Sequence, residues 1–185
     1  MVLVIEGTDK SGKSSLIHEL KEKVFKNAIV FKLSAGNKPS GRDFPEIENA
    51  RVFTAYSELF AQAKKLSDEG HVVIFDRAYP SQMVYCVKRQ KHSGWSDQLT
   101  EPAWAAFDKY IALQGVKMIY CWAPDAVVAE RFKTDGEDYM RVDEIEALKA
   151  RYMIFVERSA VKTLMLNSTD EMSENVEAVK NFISH

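Results

Sequence analysis

The sequence predicts an α/β domain: a five-stranded parallel sheet with helices on both faces. Two observations carry this. Five short, near-continuous apolar runs alternate with longer helical patterns along the 185 residues, as expected for strands buried on both faces and joined by helical crossovers. The first run, Val2–Ile5, leads directly into Gly7-Thr8-Asp9-Lys10-Ser11-Gly12-Lys13-Ser14, a phosphate-loop motif that opens a helical stretch from Ser15 to Lys26.

The five runs are Val2–Ile5, Ile29–Leu33, Val72–Phe75, Val116–Cys121 and Thr163–Leu166. The first helix carries Leu16, Ile17, Leu20 and Val24 on one side and charges opposite. Ile47 to Leu66 reads as one long helix or a broken pair, with Val52, Tyr56, Leu59, Phe60 and Ala63 as its apolar side and Gly70 beyond its end. Thr100, with Pro102 just inside, starts a helix that runs through Trp104, Phe107 and Ile111 to Gly115. Ile145–Ala160 and Glu174–Ile183 supply the last two helices. Three stretches, Ser34–Pro45, Arg89–Leu99 and Lys133–Asp143, lack a clear element. Long loops in a compact domain are usually functional, and ligands of open α/β sheets gather at the carboxyl ends of the strands.

The length fits one domain spanning 1–185, and the crossovers should be right-handed. A net charge of −2 gives no global case for nucleic-acid or membrane binding. No apolar run approaches a membrane span and no leader pattern precedes Val2. Cys86 and Cys121 match no metal or redox spacing and sit in apolar surroundings, so buried free thiols in a reducing cytoplasm are expected.

The phosphate loop makes the fold a P-loop NTPase. A polyphosphate needs several converging backbone N–H groups, which Gly7 and Gly12 allow, with Thr8, Ser11 and Ser15 completing the cradle. The following helix adds its N-terminal partial charge. Lys13 is then placed on the β/γ-phosphates of ATP, and the Ser14 hydroxyl on Mg²⁺. After the third strand, Asp76-Arg77 offers a carboxylate for the metal and a guanidinium for a phosphate. The structural alternative for that pair is a salt-bridged strand end.

On these residues the chain resembles the thymidylate kinase-like P-loop kinases. Ile5-Glu6-Gly7-Thr8-Asp9-Lys10-Ser11-Gly12-Lys13-Ser14 is similar to the family's opening strand and loop, with its acidic third position. Asp76-Arg77, followed by Tyr85, resembles its Asp-Arg motif and the trailing Ala-Tyr-Gln. Arg131, Asp143-Glu144 and the helix through Tyr152 resemble its mobile lid, here near 133–143, and the helix after it. The resemblance implies transfer of the ATP γ-phosphoryl group to a nucleotide-type acceptor. It also implies roles: Asp9 facing the acceptor sugar or the metal, and Lys10 where some members carry a catalytic arginine. Arg77 would hold the acceptor phosphate, Arg131 would lie near the adenine, and Arg141 would swing in with the lid. Asp9, Phe60, Asp76, Arg77 and Tyr85 would bind the acceptor. Family members are often homodimers.

Departures from the family pattern cluster on the acceptor side. The stretch Lys32-Leu33-Ser34-Ala35-Gly36-Asn37-Lys38-Pro39 lacks the family's Arg-Glu, Phe60–Lys65 lacks its base-stacking arginine, and Cys86 replaces its glutamine. Next, Lys88-Arg89-Gln90-Lys91-His92 precedes Trp95, a pairing of charge and ring that suits single-stranded nucleic acid as well as a solvated loop. Three functions stay open: a deoxynucleoside monophosphate kinase, a kinase acting on a strand end or a hydroxylated base such as 5-hydroxymethyluracil in DNA, and an NTP-hydrolysing switch. The last would show a guanine-specificity motif after a late strand. Asn37-Lys38-Pro39-Ser40 is no such motif.

Overall fold

The computed structural model describes the backbone over 1–32, 45–93, 97–135 and 140–184, and the side chains over 1–32, 50–86, 97–134 and 140–184. Five parallel strands form one sheet: β1 (Val2–Glu6), β2 (Ile29–Lys32), β3 (Val73–Asp76), β4 (Lys117–Trp122) and β5 (Lys162–Asn167), in spatial order β2-β3-β1-β4-β5. β1 is central, with Ile5 beside Asp76 of β3 on one side and Ile119 of β4 on the other. The residues following β1 and β3 therefore emerge side by side at the carboxyl edge of the sheet.

Period-2 alternation divides the core. Val2, Val4, Val73, Phe75, Met118 and Tyr120 face one layer, formed by helices α2 (Pro45–Asp68), α3 (Tyr79–Ser93), α4 (Pro102–Leu113), α5 (Asp125–Asp135) and α6 (Ile145–Arg158). Ile5, Ile74, Ile119 and Cys121 face the other, formed by α1 (Lys13–Lys23) and α7 (Met172–Ser184). The first layer is rich in rings: Phe60 stacks on Phe75 at 4.5 Å, and Phe107 meets Phe60, Tyr79 and Trp104 edge to face. Such pairs add about 0.5–1.5 kcal/mol each beyond the area they bury.

All five predicted strands are present within a residue or so of their expected bounds. α2 is a single helix, not a broken pair. Three readings change. The stretch from Arg89 is not structureless at its start, because 89–93 complete α3, and a 3₁₀ turn follows at Gln98–Thr100. Likewise Lys133–Asp135 end α5, and Val142–Glu144 form a second 3₁₀ turn. Finally α4 is capped from Glu101, with Pro102 in its first turn, and the Asp97 carboxylate caps the preceding 3₁₀ turn instead of Thr100 starting the helix. The remainder of Ser34–Pro45 before residue 45, and 136–139 within the expected lid, lie outside the described residues. Both cysteines are buried and unbridged, as expected.

Candidate active site

The loop after β1 turns on two glycines. Gly7 has φ 145°, and a Cβ there would stand 2.1 Å from the Cys121 carbonyl oxygen. Gly12 has φ 89°, and its Cβ would meet the Ser168 Cβ at 2.6 Å. Only glycine fits either place. Lys10 also takes a left-handed φ of 59°. Its carbonyl accepts from Arg131 Nη1 at 2.8 Å, and its ammonium lies 5.9 Å from the centre of the Phe132 ring. Arg131 donates further to Ser168 Oγ at 3.0 Å, so it ties the loop to the segment following β5.

Lys13 is buried at the start of α1. Its Nζ donates to the Thr8 carbonyl at 2.5 Å and to Ser11 Oγ at 3.3 Å. Its hydrogen-bond partners are neutral oxygens of the loop itself. Burial, reinforced by the nearby Arg77 charge, pulls its pKa down to about 7. Ser14 and Ser15 are exposed on the first turn of α1. Asp76 ends β3, and its carboxylate pairs with Lys32 Nζ at 3.1 Å. The Ser14 hydroxyl and the Asp76 carboxylate are hard oxygen donors of the kind Mg²⁺ takes, so this donor set fits that ion.

The second cluster lies beside the loop. Arg77 has φ 68°, a strained value for a residue with a side chain. Its backbone N–H donates to the Ile5 carbonyl at 3.0 Å. Arg77 Nη2 pairs with the Asp9 carboxylate, while Nη1 donates to the Gly7 carbonyl at 2.8 Å, Ser81 Oγ at 3.1 Å and the Tyr152 hydroxyl at 3.3 Å. The other Asp9 oxygen accepts from the Met140 backbone N–H at 2.7 Å. The Tyr85 ring lies 5.4 Å from the Arg77 guanidinium, a cation–π arrangement. Asp9, Arg77 and Tyr85 are thus brought together, and Asp76 stands at the adjoining strand end.

Phe60 is 4 % exposed and is taken up by the ring core, so it packs the sheet instead of facing a ligand. Arg141 is exposed and pairs with Asp143 at 3.1 Å, next to Met140, whose N–H donates to Asp9. The side chains of 88–92 and of Trp95 lie outside the described residues. The structural alternative for charged strand ends holds in form for both members of the Asp76-Arg77 motif, since each has an ion partner.

Sequence reasoning gave no role to Glu6, Ser81, Met140 or Ser168. Glu6 is fully buried and accepts from Ala78 N–H at 2.7 Å, Ser81 Oγ at 2.6 Å and the Tyr152 hydroxyl at 3.0 Å. Burial raises its pKa, against the pull of Arg77 and these donors. A signal was available: Glu6 is the one charge on an otherwise apolar strand, in phase with Val2 and Val4.

No protein-family model matches the chain. Among curated proteins, it is 26% identical over 159 residues to the SPbeta prophage-derived uncharacterized protein YorR of Bacillus subtilis (strain 168), covering 82% of this chain and 90% of that one. It is 34% identical over 101 residues to thymidylate kinase of Chlamydia caviae, covering 46% of this chain and 49% of that one. Among solved structures, YorR from Bacillus subtilis in complex with phosphorylated GDP superposes with a TM-score of 0.71 at 20% identity, over 100% of this chain and 96% of that one. Deoxyadenosine kinase from M. mycoides with bound dATP superposes with a TM-score of 0.65 at 19% identity, over the full length of both chains. In fold the chain is similar to these solved structures, and in its motifs it resembles the thymidylate kinase-like group.

Proposed function

We propose that this chain transfers the γ-phosphoryl group of ATP to a nucleotide-type acceptor, a deoxynucleoside monophosphate being the acceptor class its motifs favour. The carrying observation is the Asp9–Arg77 pair, which joins the phosphate loop to the end of β3, so that Arg77 would handle the acceptor beside the donor loop. The similarity to a thymidylate kinase supports that acceptor class, and the similarity to a deoxyadenosine kinase supports phosphoryl transfer to a nucleoside or nucleotide more broadly.

Phosphoryl transfer asks a protein chiefly for positioning and for positive charge around the equatorial oxygens. The backbone of residues 7–15 would wrap the ATP phosphates, and Lys13 would leave the loop carbonyl for the β/γ-oxygens. Ser14 and Asp76 would hold Mg²⁺, which supplies charge neutralisation across those oxygens. Arg77 would turn its Nη2 edge from Asp9 to the acceptor phosphate. The acceptor brings its own oxygen, so no side chain need act as nucleophile. Asp9 or Asp76 would orient that oxygen and take its proton late. Lys10, Arg131 and a lid arginine, Arg141 included, are further sources of charge at the donor end, with closure excluding water.

An acceptor screen with γ-labelled ATP and Mg²⁺ tests this. It sets nucleoside monophosphates and nucleosides against single- and double-stranded DNA and RNA with ordinary or hydroxylated bases. Label on a free nucleotide is the expected result. Label on the polymer alone would shift the assignment to a polynucleotide kinase. Label released only as inorganic phosphate would overturn the proposal in favour of an NTP-driven switch.

A further inference from the structure

Glu6 continues the alternation of β1, so its side chain points to the same face as Val2 and Val4, between α3 and α6. There it meets the amino end of α3. Its Oε1 accepts from the backbone N–H groups of Ala78, at 2.7 Å, and Ser81, at 3.3 Å, and its Oε2 from the Ser81 and Tyr152 hydroxyls at 2.6 and 3.0 Å. The two hydroxyls also touch each other at 2.7 Å. A carboxylate from a neighbouring strand thus caps a helix that offers no acidic residue of its own in its first turn.

The same two hydroxyls accept from Arg77 Nη1. Two short relays, Arg77–Ser81–Glu6 and Arg77–Tyr152–Glu6, therefore run from the guanidinium to one buried carboxylate. They hold only the Nη1 edge, which also reaches the Gly7 carbonyl. The Nη2 edge pairs with Asp9. We infer that Glu6 is the positioning residue for Arg77: through Ser81 and Tyr152 it fixes the Nη1 edge, so that the Nη2 edge alone exchanges between Asp9 and the acceptor's anionic group. A planar guanidinium can divide its donors in this way, whereas an ammonium would turn freely. Glu6 acts at one remove, like the outer partners that orient a directly binding ligand. The inference rests on the proposed acceptor role of Arg77 for its kinetic consequence, but its geometric claim stands apart from turnover.

The test has two readouts. The first needs no substrate: the side-chain ¹⁵N signals of Arg77 in the nucleotide-free protein, assigned by their loss in Arg77→Lys. Glu6→Gln, Ser81→Ala and Tyr152→Phe are each compared with the parent protein. Resolved, slowly exchanging Nη signals are expected in the parent. They should broaden or merge in Glu6→Gln and in at least one relay variant. Unchanged Nη signals in all three variants would overturn the inference, and if Glu6→Gln does not fold, the two relay variants decide. The second readout uses the nucleotide that the parent phosphorylates best. Tyr152→Phe should raise the acceptor KM about 5-fold or more and leave the ATP KM within about twofold. Added to Arg77→Lys, the same change should cost little more. Equal shifts of both KM values, or full additivity with Arg77→Lys, would contradict the assignment. A parent protein that phosphorylates nothing would count against the proposed function, and the ¹⁵N result would still stand.

Discussion

The two clusters around the phosphate loop treat charge in opposite ways. On the donor side, Lys13 is buried against neutral oxygens, the Thr8 carbonyl and the Ser11 hydroxyl, and its pKa falls to about 7. On the acceptor side, charges meet charges: Arg77 pairs with Asp9, and Lys32 pairs with Asp76. On the proposed reading, a polyanion entering the donor loop needs only to draw Lys13 from these two oxygens. The proposed acceptor side is self-neutralised, so an anion bound to Arg77 there would exchange places with a carboxylate. Losing one partner of a buried ion pair is costly unless another charge replaces it, so the exchange itself favours an anionic acceptor.

Substitutions at the two sides can sharpen this contrast or break it. Lys13→Met should have the largest effect, a loss of transfer of about 10³-fold or more. The nucleotide-free protein should nevertheless melt higher than the parent, because a desolvated charge is replaced by an apolar chain of similar reach. The folded pKa lies below the ordinary lysine value, so the parent gains stability as pH rises from about 7 toward that value. The advantage of Lys13→Met should thus be greatest near pH 6 and shrink above pH 7, as followed by thermal melts. A lower melting temperature across that range would contradict a strained donor lysine.

Gly7→Ala should follow, with a loss of about 3 kcal/mol or outright misfolding in denaturant titrations, because its Cβ would overlap the Cys121 carbonyl. Asp76→Asn should raise the Mg²⁺ concentration for half-maximal rate several-fold, and Lys32→Met should lower it by removing a competing cation from Asp76. Opposite signs are the point of that pair, and equal signs would remove Asp76 from the metal assignment. The smallest effect belongs to Asp97, whose carboxyl the Arg151 hydrogen bonds hold below its ordinary value. That stabilisation is present above the ordinary aspartate pKa and lost as pH falls through the lower folded value. The melting difference between the parent and Asp97→Asn should therefore close in acid.

The fold was legible because each buried strand is a short apolar run and the phosphate loop marks the end of the first. Helix α3 was harder to read: Lys88–His92 is polar enough to pass for a loop, yet the backbone through Ser93 stays helical, and lysine, arginine and glutamine are good helix formers. The donor site could be read because its residues are contiguous. Gly7 to Ser15 form one segment whose backbone would do most of the proposed binding. The acceptor side could be read only in part, because it assembles from β1, β3, α3 and α6. Asp9, Arg77 and Tyr85 carry a motif, but Met140 arrives from a distant segment with nothing to mark it, and the resemblance pointed to the helix through Tyr152 without giving Tyr152 a partner. Phe60 shows the converse. An aromatic at a helical core period belongs to the core, and here it stacks on Phe75 beneath the sheet edge.

The division of labour between the two clusters is tested most directly by the full kinetics of Arg77→Ala with ATP and the preferred acceptor. The account predicts that kcat/KM for the acceptor falls about 10²-fold while the ATP KM stays within about twofold. A rise confined to the ATP KM would place Arg77 on the donor and contradict the account.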